Sequence, residues 1–131
     1  MMGQADLVVL IFTFATNAVL ALAGLILFLW PPKRINPIYG YRTRKSSSSQ
    51  QAWRFANRLC GGVLFSSALI GMLIAAALYV CRYAAGLNIP FDAFIAYFPL
   101  SLAVEISLSV AITETRLKKF IKTHPSTDLD A

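Results

Sequence analysis

The chain has 131 residues, of which 57% are hydrophobic, and a mean hydropathy of +0.63. That is length for one domain, 1–131, and too much apolar surface for a small water-soluble one. The formal charge of +6 does not make it a nucleic-acid binder, because membrane topology accounts for the basic residues, and two cysteines with one histidine exclude most metal and redox chemistry. Cys60 and Cys81 fall ~31 Å apart along one predicted helix, and His124 has no Cys or His at ligand spacing. No metal and no cofactor are expected.

Three stretches reach the ~18–20 apolar residues needed to cross hydrocarbon: 7–30, 59–81 and 93–113. They predict an all-α fold, an integral membrane bundle of three transmembrane helices. The first stretch has no Lys or Arg before it and stays apolar to Trp30, longer than the ~7–15 residues of a cleavable leader, so it is expected to be retained. Trp30-Pro31-Pro32 ends it, because two prolines forbid continuation and tryptophan suits the headgroup boundary.

Residues 31–58 form a connector too long to be structureless in a compact domain. Pro37 and Gly40 supply turn chemistry, and Tyr39 and Tyr41 flank the glycine with rings suited to the interface. Ser47-x-x-Gln50 and Ser48-x-x-Gln51 both fit a capping box. A helix starting there carries Trp53 and Asn57 on one face, at i and i+4, and runs into the second span. A flexible serine linker is the competing reading.

The second helix, 59–81, carries Ser67, Gly71 and Ala75 at four-residue spacing, a small-residue stripe for close packing. Packing within the chain is preferred over a dimer face, and self-association stays open. After an outer loop, 82–92, the third helix places Ser101, Glu105, Ser109 and Thr113 along one face, with Pro99 one turn earlier and expected to kink it. Glu105 lies ~18 Å from the start of this span and Asn17 ~15 Å from the outer end of the first, so their depths match. A direct Asn17–Glu105 hydrogen bond is therefore geometrically open, and Asn17 is the expected cross-helix partner. An ionised acid at mid-helix costs ~2.5–3.5 kcal/mol, so Glu105 should face the bundle interior, either fixing helix packing or serving a ligand or proton. A tail, 114–131, follows, in which Glu114 and Lys118 have the spacing of a local ion pair.

The basic residues are strongly one-sided. Lys33, Arg34, Arg42, Arg44, Lys45, Arg54 and Arg58 lie between the first two spans, Arg116, Lys118, Lys119 and Lys122 follow the third, and Arg82 alone lies elsewhere. The positive-inside rule then puts the N-terminus outside, the connector and the C-terminus in the cytoplasm, and anionic lipid against the basic connector. No Gly-x-Ser-x-Gly, His-Glu-x-x-His or phosphate loop occurs, and no second histidine could assist a nucleophile. The chain is therefore not expected to be an enzyme.

Asn36-x-x-Tyr39-Gly40-Tyr41-Arg42-Thr43, then Ser46, then Trp53-x-x-Ala56-Asn57 resembles the hallmark of the SdpI-type bacterial membrane proteins. A weaker likeness is Thr113-Glu114-x-x-Leu117-Lys118. The family's namesake protects its producer from a secreted peptide toxin and signals the toxin's presence by sequestering a repressor. The resemblance implies a compact, single-module member in the bacterial cytoplasmic membrane, without the namesake's additional N-terminal helices. Two accounts of the motif stand side by side: a structural cap on the helix ends, or a binding site.

The expected function is a non-enzymatic membrane binding module that recognises a peptide, lipid or protein partner. Its candidate residues are the motif, with Arg42 singled out for its bidentate fork, and the intramembrane set Asn17, Ser101, Glu105 and Ser109. The alternatives are an accessory subunit of a larger membrane complex and a small proton- or ion-linked transporter using Glu105.

Overall fold

The computed structural model describes residues 3–124. It is all-helical: α1 spans Gln4–Leu29, a single 3-10 turn Ser46–Ser48, α2 Gln50–Tyr83 and α3 Phe91–Thr123. Each of the three long helices is long and apolar enough to cross a membrane. Residues 125–131 of the basic tail lie outside the described residues.

Helices α2 and α3 overrun their apolar windows at the same end of the molecule. At 1.5 Å per residue, their 34 and 33 residues reach ~50 Å, well beyond the ~30 Å of hydrocarbon. The extensions hold together by their own small core, in which Ala52, Ala56 and Leu117 are buried and Tyr41, Phe55 and Ile121 pack around them. Phe55 and Phe120 stack with ring centroids 4.3 Å apart. The first ten residues after 113 are thus helical rather than a loose tail, because Leu117, Phe120 and Ile121 have apolar partners.

α2 is the central helix. It packs along α1 through a contact of small residues: a Cβ on Gly24 would lie 2.6 Å from the Phe65 backbone nitrogen and 2.8 Å from the Gly61 carbonyl oxygen. The backbones touch there, and any side chain would push the helices apart. Ser67, Gly71 and Ala75 are all buried within the chain, as expected for packing inside the monomer. Pro99 falls inside α3. At the end remote from the motif, Arg82 approaches Asp6 (3.8 Å), donates to the Ile89 carbonyl and lies over the Phe94 ring. This ties the start of α1 and the loop before α3 to the end of α2.

Candidate functional site

The motif residues fold into a cap over the helix ends. Trp53 and Asn57 are one turn apart on α2 and both fully buried. The Trp53 indole N–H donates to the Pro32 carbonyl at 3.0 Å, so the chain leaving α1 is pinned to the start of α2. Asn57 Nδ2 donates to the Trp53 carbonyl (2.8 Å), and its Oδ1 accepts the Tyr41 backbone N–H (2.5 Å). Gly40 sits just before this bond at φ +112. That is a conformation costly for other residues, and a Cβ there would strike the Asn57 amide and the Pro32 ring. Only glycine lets Tyr41 reach Asn57.

The remaining motif groups bond within the same cap. Asn36 Oδ1 accepts the N–H groups of Ile38 (3.1 Å) and Tyr39 (2.7 Å), forming a local turn. Ser46 is fully buried; its hydroxyl accepts the Thr43 N–H (2.8 Å) and lies 3.0 Å from the carbonyls of Tyr41 and Thr43. The Thr43 hydroxyl returns the favour by accepting the Ser46 N–H (3.2 Å). Gln50 donates to the Lys33 carbonyl. Tyr41 OH donates to Glu114 Oε1 (3.1 Å), while Lys45 pairs with Glu114 Oε2 (3.0 Å). The Tyr41 hydroxyl is pushed above its ordinary pKa by burial first and by the Glu114 carboxylate second.

Two expectations are corrected here. The cap of α2 is Ser49, whose hydroxyl accepts the Ala52 N–H (3.1 Å), and not Ser47 or Ser48, because residues 46–48 are turned back in a 3-10 turn held by Thr43 and Lys45. Glu114 pairs with Lys45 and Tyr41 across the fold instead of with Lys118 on its own helix, since the folded loop brings two donors to it. Arg42 donates to the carbonyl of Pro37, a loop residue. Arg42 and Arg44 remain exposed.

The membrane interior is built differently. Asn17 on α1 is fully buried and Glu105 on α3 is 4% exposed. Both reach α2 at one place: a Cβ added to Gly71 would collide with Glu105 Oε1 and lie 2.8 Å from Asn17 Oδ1. The two side chains are brought together as their depths suggested, but no direct hydrogen bond joins them. Asn17 Nδ2 donates instead to the Thr13 carbonyl of its own helix (2.9 Å). That turns its oxygen, an acceptor, toward the carboxyl. Asn17 Oδ1 and both Glu105 oxygens are left buried without a donor.

The neighbouring hydroxyls do not supply one. Ser101 and Ser109 are buried but bond backward along α3, to the carbonyls of Phe98 (3.0 Å) and Glu105 (2.7 Å). Thr13 does likewise with Val9 (2.8 Å). Tyr97, which sequence reading passed over, donates to the Gly71 carbonyl at 2.7 Å. Its position extends the four-residue polar stripe of α3 one turn toward the N-terminus, the signal that could have found it. Beside Gly71 a cleft of about 260 Å³ opens between α2 and α3, with apolar walls and the Glu105 carboxyl among its lining residues. Among the described residues no group of three or more His, Cys, Asp or Glu could hold a metal ion.

The chain is 37% identical over 70 residues to the uncharacterised protein YfhL of Bacillus subtilis (strain 168). The match takes in 50% of this chain and 64% of that protein, so the chain spans a little under two thirds of the relative's length. No solved structure matches. The model of the SdpI/YfhL protein family matches residues 33–113, from the connector through α2 and across the polar stripe of α3. With more than half of its length matched, and with the motif folded as one unit on membrane-spanning helices, this chain belongs to the SdpI/YfhL protein family.

Proposed function

We propose that this chain is a non-enzymatic membrane binding module of the immunity type, recognising a membrane-active peptide through its polar interior while the motif cap holds the three helices in register. The supporting observation is the contrast in hydrogen bonding. The motif's polar groups are engaged with one another, whereas Asn17 Oδ1 and the Glu105 carboxyl oxygens are buried without donors. Leaving such acceptors unpaired costs ~1–3 kcal/mol each, more for a charged group. A fold that keeps them is poised for a donor from elsewhere.

In this reading the motif end is cytoplasmic. Lys33, Arg34, Arg44 and Lys45 are exposed there, and each can gain ~1 kcal/mol from anionic lipid. The remote end, with Arg82 already paired, faces outward. The test is protection: a bacterium sensitive to the secreted peptide toxin that the family's namesake neutralises should survive when it expresses this chain. Survival no better than an empty membrane control would oppose the reading. A mild-detergent pull-down separates it from the subunit alternative, since a reproducible stoichiometric membrane protein would favour that alternative instead.

A further inference from the structure

We infer that the groove along α2 from Arg58 to Ile70 holds an anionic phospholipid of the leaflet at the motif end, its phosphate on the Arg58 guanidinium and an acyl chain in the groove. The site goes beyond the proposed function, since neither a peptide nor Glu105 enters it. It also differs from the diffuse attraction of the basic connector for lipid, because it has a defined place for both the headgroup and the chain.

The groove lies where the three helices leave a gap. α2 lines it from Leu59 to Ile70, α1 contributes Leu25 and Phe28, and α3 contributes Leu108 and Ile112. Its volume is about 540 Å³, within the ~300–1,000 Å³ of small-molecule sites. From Arg58 to Ile70 the helix rises ~18 Å, close to half of the ~30 Å hydrocarbon thickness. The groove therefore reaches from the membrane boundary to the depth of one leaflet, as an acyl chain does. Its two serines offer such a chain no free donor, because Ser66 donates to the Gly62 carbonyl (2.9 Å) and Ser67 to the Leu64 carbonyl (3.1 Å).

Arg58 stands at the mouth. It is the last charged residue before the apolar span 59–81, which places its guanidinium at the level of the headgroup phosphates. The side chain is exposed and lies 5.2 Å from the centroid of the Phe28 ring, a contact that holds the charge over the groove without using its N–H groups. The ion pairs among the described residues are Lys45–Glu114 and Arg82–Asp6, so Arg58 has no carboxylate there. A guanidinium binds phosphate through two parallel bonds. Arg54, one turn away on the same helix, and Lys33 and Arg34 are exposed at the same end. Together they disfavour the second cation that a zwitterionic headgroup carries, and so select a headgroup with net negative charge. A second copy of this chain fits less well. In the same orientation, Glu114 is the carboxylate that the described residues would bring to this level, and it is already held by Tyr41 and Lys45.

The full chain, stripped of lipid in a mild nonionic detergent, would be titrated with dioleoylphosphatidylglycerol and, separately, with dioleoylphosphatidylcholine, and its unfolding midpoint followed. The two lipids share their chains, so effects on the micelle are common to them. Phosphatidylglycerol should raise the midpoint saturably at roughly tenfold lower concentration, the difference expected for a charge-assisted contact. Arg58→Gln should abolish that difference, whereas Arg44→Gln, which removes the same charge from an exposed position outside the groove, should retain it. Equal responses to the two lipids, a preference that survives Arg58→Gln, or one lost equally in Arg44→Gln would overturn the assignment.

Ser66→Phe tests the groove itself, since Ser66 is exposed within it and the added ring would take the place of the chain. The phosphatidylglycerol response should then weaken at least tenfold by the same reckoning; an undiminished response would show that the groove is not used. If Ser66→Phe does not accumulate, glycerophosphate, a headgroup without chains, decides instead: no effect at the same concentrations supports the site, and an effect equal to that of the lipid overturns it. A chain that runs as a dimer, and as a monomer once Ser66→Phe is introduced, would put a second copy in the groove and also overturn it.

Discussion

The motif cap and the middle of the membrane are both polar and both buried, yet they solve burial in opposite ways. In the cap, Trp53, Asn57, Ser46 and Tyr41 close on one another and on the backbone of the connector. At mid-membrane, Asn17 and Glu105 meet over Gly71 with three acceptors and no donor. Complete satisfaction is what a rigid structural element needs, because each unmade buried bond weakens it. Retained dissatisfaction, in a lipid setting where it is most costly, belongs to a place that exchanges partners. On the proposed function the cap is scaffold and the interior the working surface, although the motif is much the more conspicuous of the two in the sequence.

The contrast is broken most readily at the cap. Trp53→Ala removes a fully buried ring and the bond to Pro32, and should cost ~3–5 kcal/mol, seen as a lower unfolding midpoint and reduced membrane abundance. Gly40→Ala should come next, at ~1–3 kcal/mol for the left-handed backbone with the clash against Asn57 added. If either variant is as stable as the parent, the cap is not the clamp described here.

The interior should answer differently to conservative change. Glu105→Gln keeps the shape and gives the side chain an amide donor for Asn17 Oδ1, so stability should hold or rise by about 1 kcal/mol. A fall comparable to that of Trp53→Ala would show the carboxylate to be a packing element and remove the contrast.

Exposed members of the cap should matter least. Lys45 and Glu114 form a largely solvated pair, so Lys45→Met should cost ~0.2–1 kcal/mol, and less in high salt. Arg42→Lys should be similarly mild. Its exposed guanidinium makes one bond to the Pro37 carbonyl, which an ammonium can replace, whereas a site that used both arms of the fork would not tolerate the change. Arg44→Lys should be silent. Orientation has its own check: with Cys60 buried, added cysteines at the exposed positions Ser48 and Asn88 suit an impermeant thiol reagent on intact cells, and labelling at Asn88 alone is expected.

The three spans were legible because an apolar run long enough to cross hydrocarbon has few other uses. The Trp53 and Asn57 pairing was legible from their spacing, and the burial of Glu105 from the cost of facing lipid. What escaped was set by contacts distant in sequence. Nothing near Glu114 announces Tyr41, 73 residues earlier, so the local Lys118 partner looked sufficient. Depth alone matched Asn17 with Glu105, but depth does not say which end of an amide points across the gap, and the Thr13 carbonyl decided that. Ser49 was passed over as the cap because the serines before it also fit the spacing; the 3-10 turn that removes them depends on Thr43.

The most direct test of the division between scaffold and working surface is protection measured together with membrane abundance for the parent, Glu105→Gln and Arg44→Lys. Normal abundance in all three with protection lost only in Glu105→Gln is expected. Full protection by an equally abundant Glu105→Gln would contradict the assignment of recognition to the interior, and would return the binding role to the motif.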